Sequence, residues 1–381
     1  MSKRKLSVLS IDLGAGGAEK VISLLLKHLV KDFDVTLVLI TNDVHFDIPN
    51  EVEIISFFDP EEFRNQSLFK KVKIAIKSCS KYLSIIKKKG ITTSISFLPL
   101  PNIINGILAL RNSKVRTIVS ERCYASSLYT ESKLTMFLAK IVYPLFYNRT
   151  DVVFSNSEHI NQDLKDNFGI KASMKVIYNP IELYEGEVEP TSYNENDTFN
   201  IINVGRCTTI KNQQMLIHAV SKLKHDYHLT ITGTGDIIDN LKALSIEKAT
   251  NTLLTGNVSD VNAHLSKNNC FVLSSNSEGF PNVVLEAMAM GLPIIATNCL
   301  SGPLEILNNN QPINLEEGEF YKATYGILIS TNDTKALTNA LNYLIENPSE
   351  VNKYSLLSLE RAKAYSSPKI YQELKTLIDN E

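Results

Sequence analysis

The stretch Ser274-Ser275-Asn276-Ser277-Glu278-Gly279-Phe280-Pro281-Asn282-Val283-Val284-Leu285-Glu286-Ala287-Met288-Ala289-Met290-Gly291-Leu292-Pro293 decides the reading of this 381-residue chain. The apolar run Cys270 to Leu273 before it reads as a buried strand. A polar loop follows, then a helix predicted to start at Pro281 and to stop before Gly291, with Pro293 beyond; Pro just inside the start and Gly just past the end is the usual asymmetry of helix ends. The helix is apolar almost all round and is expected in the core, with Glu286 as the exception. A carboxylate in that setting is costly unless hydroxyls, an amide cluster or a cation partner it. Glu278 falls one loop earlier, where a parallel strand gives way to its helix and where ligands collect in open α/β sheets. Gly279 lets backbone approach a ligand, and the N–H groups expected at a helix start favour an anion or a sugar oxygen; Pro281 itself has none to give. A capping acid beside a core helix with one salt-bridged Glu is the competing structural reading.

Outward from this stretch, the length suits two domains rather than one core. The apolar fraction of 44% is that of a soluble globular protein, and a net charge of −2 argues against a general nucleic-acid binder. Five cysteines without a C-x-x-C pair suggest a reducing compartment. No signal-peptide-like apolar region opens the sequence and no 18-residue apolar run occurs in it, so a cytoplasmic protein is expected.

The first half alternates strand and helix. Leu6 to Ile11 is a strand, the Gly-rich turn Gly14-Ala15-Gly16-Gly17-Ala18-Glu19 follows, and a helix with Val21, Leu24, Leu25 and Leu29 on one face leads to the strand Asp34 to Ile40. Glu19 stands where a G-x-G-x-x-G pattern needs its last Gly, so a dinucleotide fingerprint is not met. Glu61 to Lys89 reads as one long helix or two shorter ones, with eight lysines between Lys70 and Lys89 and an apolar stripe of Val72, Ile76, Leu83 and Ile86. Such a helix suits an anionic membrane surface or simply a solvated face. The strand Val115 to Val119 ends in Ser120-Glu121-Arg122, again at a strand's C-terminal edge, where the two charges either contact a ligand or pair with each other. Leu134 to Tyr147 is an apolar helix, mostly core, of which an exposed portion would suit lipid. Asp32-Phe33-Asp34 is a D-x-D string at the wrong edge of the sheet for a metal site. Asn179-Pro180 closes the first half, and the acidic, apolar-poor stretch from Leu183 to Asn200 reads as an interdomain linker.

The second half repeats the architecture with a parallel sheet. Phe199 to Val204 is a strand followed by Gly205-Arg206, with Lys211 at the next helix start. Arg206 and Lys211 can converge above the strand end and bracket a diphosphate, the Arg as a fork and the Lys as a point charge. Two further strands end in Gly233 and in Gly256, and Tyr325 to Ser330 is predicted as another. Pro368 to Asp379 is the last helix.

The string S-E-G-F-P-x-x-x-x-E-A-M-A-x-G-x-P resembles the donor-site signature of retaining glycosyltransferases of family 4, and the likeness extends over nearly the whole chain. The resemblance implies the GT-B fold, two Rossmann-like parallel-sheet α/β domains facing across a cleft. It implies an acceptor-binding domain at 1–183, a nucleotide-sugar donor domain at 184–367, and a helix at 368–381 crossing back. It implies Arg206, Lys211 and Glu278 as the catalytic set. The donor site would further include Gly16, Gly17, Gly205, Gly233, Gly256, Gly279, Phe280, Pro281 and Glu286, with Glu286 on the ribose diol. Gly16, Glu121 and Arg122 would meet the acceptor; Arg122 replaces the His often found there in relatives, which leaves its role open. The expected reaction moves a hexose or N-acetylhexosamine, UDP-sugar favoured, to a glycan or lipid-linked acceptor of cell-surface polysaccharide, capsule or lipopolysaccharide. It retains configuration, needs no metal or cofactor, uses no protein nucleophile (Glu278 in that role is the sharper alternative), and runs in the cytoplasm or peripherally on the inner membrane face. A sugar-nucleotide epimerase of the same fold and a non-catalytic sugar-nucleotide-binding subunit are the alternatives.

Overall fold

The structure, a computed structural model, describes residues 3–63, 68–129, 132–184 and 186–380. Residues 64–67 of the expected basic helix and Glu185 of the expected linker lie outside the described residues. The chain divides into two compact units, Met1–Pro180 with Ser367–Glu381, and Ile181–Ser366.

The first unit is built on β1 (Arg4–Ser10), β2 (Phe33–Thr41), β3 (Glu53–Phe58), β4 (Thr93–Phe97), β5 (Arg116–Glu121), β6 (Val152–Ser155) and β7 (Met174–Val176). These pair in the order β3-β2-β1-β4-β5-β6-β7, all parallel. Apolar residues alternate between two covered faces, as a doubly wound sheet requires. Val35, Leu37 and Leu39 meet the helices Gly17–Asp32 and Ser367–Asp379, whereas Val38 and Ile40 lie under the helices Leu68–Lys89 and Pro99–Arg111. The C-terminal helix buries Ile370, Leu374 and Ile378 in this unit, and Tyr371 stacks on His28 with ring centroids 5.3 Å apart. Asp32 ends its helix at the N-terminal edge of the sheet and accepts the Tyr371 hydroxyl. The expected helix from Glu61 is observed as Pro60–Phe63 and Leu68–Lys89.

The second unit carries β8 (Phe199–Val204), β9 (Tyr227–Thr232), β10 (Thr252–Gly256), β11 (Cys270–Leu273), β12 (Ile294–Thr297), β13 (Phe320–Ala323) and β14 (Gly326–Ile329), in the order β10-β9-β8-β11-β12-β14-β13. An all-parallel sheet was the expectation, and β13 departs from it by pairing antiparallel with β14. Thr324-Tyr325 forms the tight connection, and an antiparallel strand at the edge of a parallel sheet needs no crossover helix. The stretch 183–200 is not a free linker. Tyr193 is buried against Phe199, the Thr191 N–H donates to Ser355 Oγ at 2.7 Å, and Thr191 Oγ1 donates to the Gly291 carbonyl at 2.8 Å. Its polar composition reflects hydrogen bonding along the surface of the second unit. Among the described residues no helix is long and apolar enough to cross a membrane.

Candidate active site

In the second unit the C-terminal edge of the sheet is a row of interlocked loops. The Gly205 N–H donates to Thr232 O and the Cys207 N–H to Thr234 O, both at 2.9 Å, and the Gly233 N–H donates to Gly256 O at 2.8 Å. Gly233 has φ +134°, and a Cβ there would lie 2.1 Å from the Gly205 carbonyl oxygen. Its lack of a side chain is demanded by the neighbouring backbone, before any ligand is considered. This packing holds the 205–212 loop against the sheet while Arg206 stands exposed at its start. Among the described residues the Arg206 guanidinium makes no hydrogen bond or ion pair.

The same loop is tied to the one after β11. The Asn276 N–H donates to Ile210 O at 2.8 Å, and Ser274 Oγ donates to Lys211 O at 2.8 Å. The two loops meet in a charge pair: Lys211 Nζ lies 2.6 Å from Glu278 Oε1, which also accepts Ser275 Oγ at 2.6 Å. The Glu278 side chain is only 9% exposed, so this pair is partly desolvated and firmly oriented. Both contacts fall on Oε1, and among the described residues Oε2 receives no hydrogen bond. Glu286 sits in the helix Asn282–Ala289, one residue shorter at its start than expected because Pro281 takes the N-cap position. That helix is not buried all round: Asn282, Val283, Glu286 and Met290 form its half-exposed stripe. Phe280 and Pro281 are buried, with the Phe280 ring 5.8 Å from that of Tyr365, so what they present to a ligand is backbone.

Ser301, in the loop after β12, supports this turn, and the sequence reading did not single it out. Its Oγ donates to the carbonyls of Glu278, at 3.0 Å, and of Gly279. Thr297 Oγ1 likewise donates to Ser275 O at 2.5 Å. At Gly302, φ is +93° and an added Cβ would meet Pro281 Cδ at 2.6 Å. The loop after β12 thus holds two carbonyls of the Glu278–Phe280 turn on its own side, which turns the following N–H groups toward the opposite one. Ser301→Ala is expected to lower kcat/KM by about tenfold, the worth of one buried hydrogen bond. Thermal melting, measured alongside donor-turnover kinetics, is expected to shift by only a few degrees.

In the first unit, Gly16 caps the helix Gly17–Asp32 with extended backbone, and Gly17 opens it exposed to solvent. Across the sheet edge, Glu121 is fully buried and Arg122 only 5% exposed. Glu121, expected at the acceptor, therefore makes no surface of its own. Its carboxylate accepts the Arg122 N–H at 3.1 Å and the Tyr147 hydroxyl at 2.9 Å. Burial pushes its pKa up to about 7, against the smaller opposing pull of these hydrogen bonds. The two charges do not pair side chain to side chain. The Arg122 guanidinium turns instead to Asn179 Oδ1 and to Ser120 Oγ, and its Nε is buried without a partner among the described residues. Burial lowers its pKa to about 10, with Cys123, Glu121 and Glu19 opposing. Tyr147 belongs to a buried polar seam that the sequence reading did not find. Tyr82 bonds Ser7 and Ser94, Ser94 bonds Asn105, Asn105 bonds Ser96, Ser96 bonds Asn102, and Asn102 bonds Tyr147. Among the described residues no cluster of His, Cys, Asp and Glu has metal-binding geometry.

Comparison with known proteins bears on both units. Residues 15–185 match the model of Glycosyltransferase Family 4, and residues 198–347 match that of the Glycosyl transferases group 1. The chain belongs to glycosyltransferase family 4. Among relatives of this family 4 transferase is the Campylobacter jejuni N-acetylgalactosamine-N,N'-diacetylbacillosaminyl-diphospho-undecaprenol 4-alpha-N-acetylgalactosaminyltransferase. It is 28% identical over 98% of this chain and 100% of its own length. A second Campylobacter jejuni enzyme, a GalNAc-alpha-(1->4)-GalNAc-alpha-(1->3)-diNAcBac-PP-undecaprenol alpha-1,4-N-acetyl-D-galactosaminyltransferase, is 23% identical over 98% of each chain. Among solved structures, Anabaena HepE in complex with UDP superposes with a TM-score of 0.75 at 16% identity, covering 98% of this chain and 99% of that one. Sucrose-phosphate synthase from Thermosynechococcus elongatus gives 0.77 at 17% identity, covering 98% of both. The fold of the family 4 transferase is therefore GT-B, as its two parallel-sheet units require.

Proposed function

We propose that this transferase moves an N-acetylhexosamine from a UDP-sugar to a glycan carried on a lipid diphosphate, with retention of anomeric configuration. The observation that carries the reading is the Lys211–Glu278 pair, fixed where two strand-end loops of the second sheet meet. The full-length likeness to transferases acting on diphospho-undecaprenol glycans supports the sugar and acceptor class.

In this reading the second unit holds the donor. Arg206, exposed and unengaged, and Lys211 neutralise the diphosphate as charge builds on it, which is commonly the largest single contribution to such catalysis. Oε2 of Glu278 accepts a sugar hydroxyl, while Oε1 stays anchored by Lys211 and Ser275. The N–H groups of Gly279 and Phe280 take further sugar oxygens, and Glu286 takes the ribose diol. Gly205, Gly233 and Gly256 keep the loop edge low enough for the nucleoside to pack on it. The leaving phosphate accepts the proton of the incoming hydroxyl, so no protein nucleophile and no metal takes part. The first unit supplies the acceptor groups, with the helix start at Gly16 and Gly17, where the Glu19 carboxylate lies beside Gly16, suited to a hydroxyl-bearing ligand. Arg122 is the cation there, and Glu121 is a positioning group behind it. The enzyme works in the cytoplasm at the inner face of the membrane that holds its acceptor.

A donor panel tests this. Purified protein is incubated with UDP-, GDP-, dTDP- and ADP-sugars, and release of free sugar is followed without acceptor. Slow hydrolysis of a UDP-N-acetylhexosamine, with unchanged anomeric configuration in early product, is expected. Turnover of GDP-mannose with none of the UDP-sugars would overturn the donor assignment.

A further inference from the structure

The helix Pro348–Lys363 carries none of the candidate donor residues, yet it packs against the helix Asn282–Ala289 that holds Glu286. Ser355, Ser358, Arg361 and Tyr365, the last just beyond its end, follow one another at three, three and four residues and so share one face. Ser355 and Ser358 are fully buried. Ser355 Oγ donates to the Gly291 carbonyl and accepts the Thr191 N–H at 2.7 Å, and Ser358 Oγ donates to the Leu292 carbonyl at 2.7 Å. Those two carbonyls lie just past the end of Asn282–Ala289, so the serines pin the far end of that helix.

Arg361 and Tyr365 reach the near end, the turn Glu278–Pro281, by two routes. Arg361 donates through Nε to Ile306 O at 2.9 Å and through Nη2 to Glu305 O at 2.8 Å. These carbonyls belong to the last turn of the helix Pro303–Asn308, of the kind a helix end leaves unsatisfied. That helix starts behind Gly302, where an added Cβ would lie 2.6 Å from Pro281 Cδ and 3.2 Å from Phe280 Cα. Ser301, one residue earlier, bonds the Glu278 and Gly279 carbonyls. The second route is aromatic. Arg361 Cζ lies 4.7 Å from the Tyr325 ring centroid and 5.1 Å from that of Tyr365, whose ring is in turn 5.8 Å from Phe280. Tyr365 is 2% exposed, and its carbonyl accepts the Ile181 N–H at 2.9 Å. Only a planar fork can serve two carbonyls and lie over rings at once.

We propose that Arg361 and Tyr365 are positioning residues for the sugar half of the donor site. They hold the Gly279–Phe280 backbone, whose N–H groups take the sugar, and act through that turn rather than on the ligand. The inference rests on the reading that this turn holds the transferred sugar, while Arg206, Lys211 and Glu286 hold the nucleoside diphosphate. When either brace is removed the turn shifts, so sugar contacts weaken and nucleotide contacts persist.

The test is calorimetric titration of the full chain with UDP and with the UDP-N-acetylhexosamine that the wild type hydrolyses. Arg361→Met and Tyr365→Leu are each expected to weaken the UDP-sugar by about tenfold, the worth of one or two buried hydrogen bonds, with UDP affinity unchanged. Wild-type affinity for UDP also shows that a variant is folded. Arg361→Lys keeps the charge without the fork or the plane, and is expected to recover part of the loss. It decides the matter together with Tyr365→Leu should Arg361→Met fail to fold. Ser358→Ala, on the same face but bonded to the other end, is the control: its melting temperature should fall and both affinities should stay at the wild-type level. Equal weakening of UDP and UDP-sugar in Arg361→Met and Tyr365→Leu, no change in either affinity, or the same selective loss in Ser358→Ala would overturn the inference and leave the donor reading intact. A wild type that hydrolyses no UDP-sugar would remove the donor reading and the inference with it.

Discussion

Lys211→Ala is expected to lower turnover of the UDP-sugar by about 10²–10³, the loss typical when one preorganised charge-stabilising donor is removed. Two effects act in the same direction. The diphosphate loses a cation at the moment its charge grows, and Glu278, 9% exposed, loses the ammonium 2.6 Å from its Oε1. An unpaired carboxylate then stands beside the site of an anionic leaving group. Lys211→Arg should recover only part of the rate, because the planar guanidinium cannot sit as a point charge between Glu278 and the phosphate. Arg206→Ala should lose a comparable factor through the first effect alone, since Arg206 props no carboxylate. The double variant Lys211→Ala, Glu278→Gln separates the two. It should recover donor affinity relative to Lys211→Ala while remaining slow, read from KM and kcat in steady-state hydrolysis. Equal KM in the single and double variants would show that the uncompensated carboxylate has no part.

The second large effect concerns stability. Glu121 is fully buried, and its pKa is raised from its ordinary 4.5 to about 7, first by burial. A carboxyl whose folded pKa is raised stabilises the fold fully below its unfolded pKa and loses that contribution as pH rises through the folded one. The window therefore runs from about pH 4.5 to about pH 7, and linkage over it amounts to about 3 kcal/mol. Glu121→Gln mimics the protonated acid, with its carbonyl toward the Arg122 N–H and its amide toward the Tyr147 oxygen. Urea denaturation followed by circular dichroism is expected to find wild type and Glu121→Gln equally stable at pH 4, below the unfolded pKa. At pH 8 the variant should be the more stable by up to about 3 kcal/mol. A difference that does not change with pH would remove the buried acid from the account.

The strand–loop–helix at 270–290 was legible because apolar run, Pro and Gly punctuate it unambiguously. The fold class followed from the same alternation repeated along the chain. The antiparallel β13 was not legible: Phe320 to Ala323 is a short, half-exposed edge strand, and its pairing depends on a two-residue connection rather than on any apolar run. The stretch 183–200 was misread because polar composition marks exposure and says nothing of what the backbone bonds to. Thr191 and Tyr193 show the difference. At the candidate site, the residues with ionisable side chains stood out and their supports did not. Ser301 acts through two carbonyls of another loop, and Asn102, Asn105 and Tyr147 act through a seam connecting several elements. Neutral groups whose partners lie far along the chain leave no local pattern. Glu121 and Arg122 were visible as charges at a strand end, with ligand contact and mutual pairing both open; alternation at the end of β5 sends their side chains to different partners, Tyr147 and Asn179.

Lys211 is proposed to meet the diphosphate of a UDP-sugar, and calorimetric titration of wild type and Lys211→Ala with UDP and with uridine decides whether it does. At least tenfold weaker UDP binding by the variant and unchanged uridine binding are expected, since the proposed base and ribose contacts fall on other residues of the same unit. Equal affinity of both proteins for UDP would contradict the proposal.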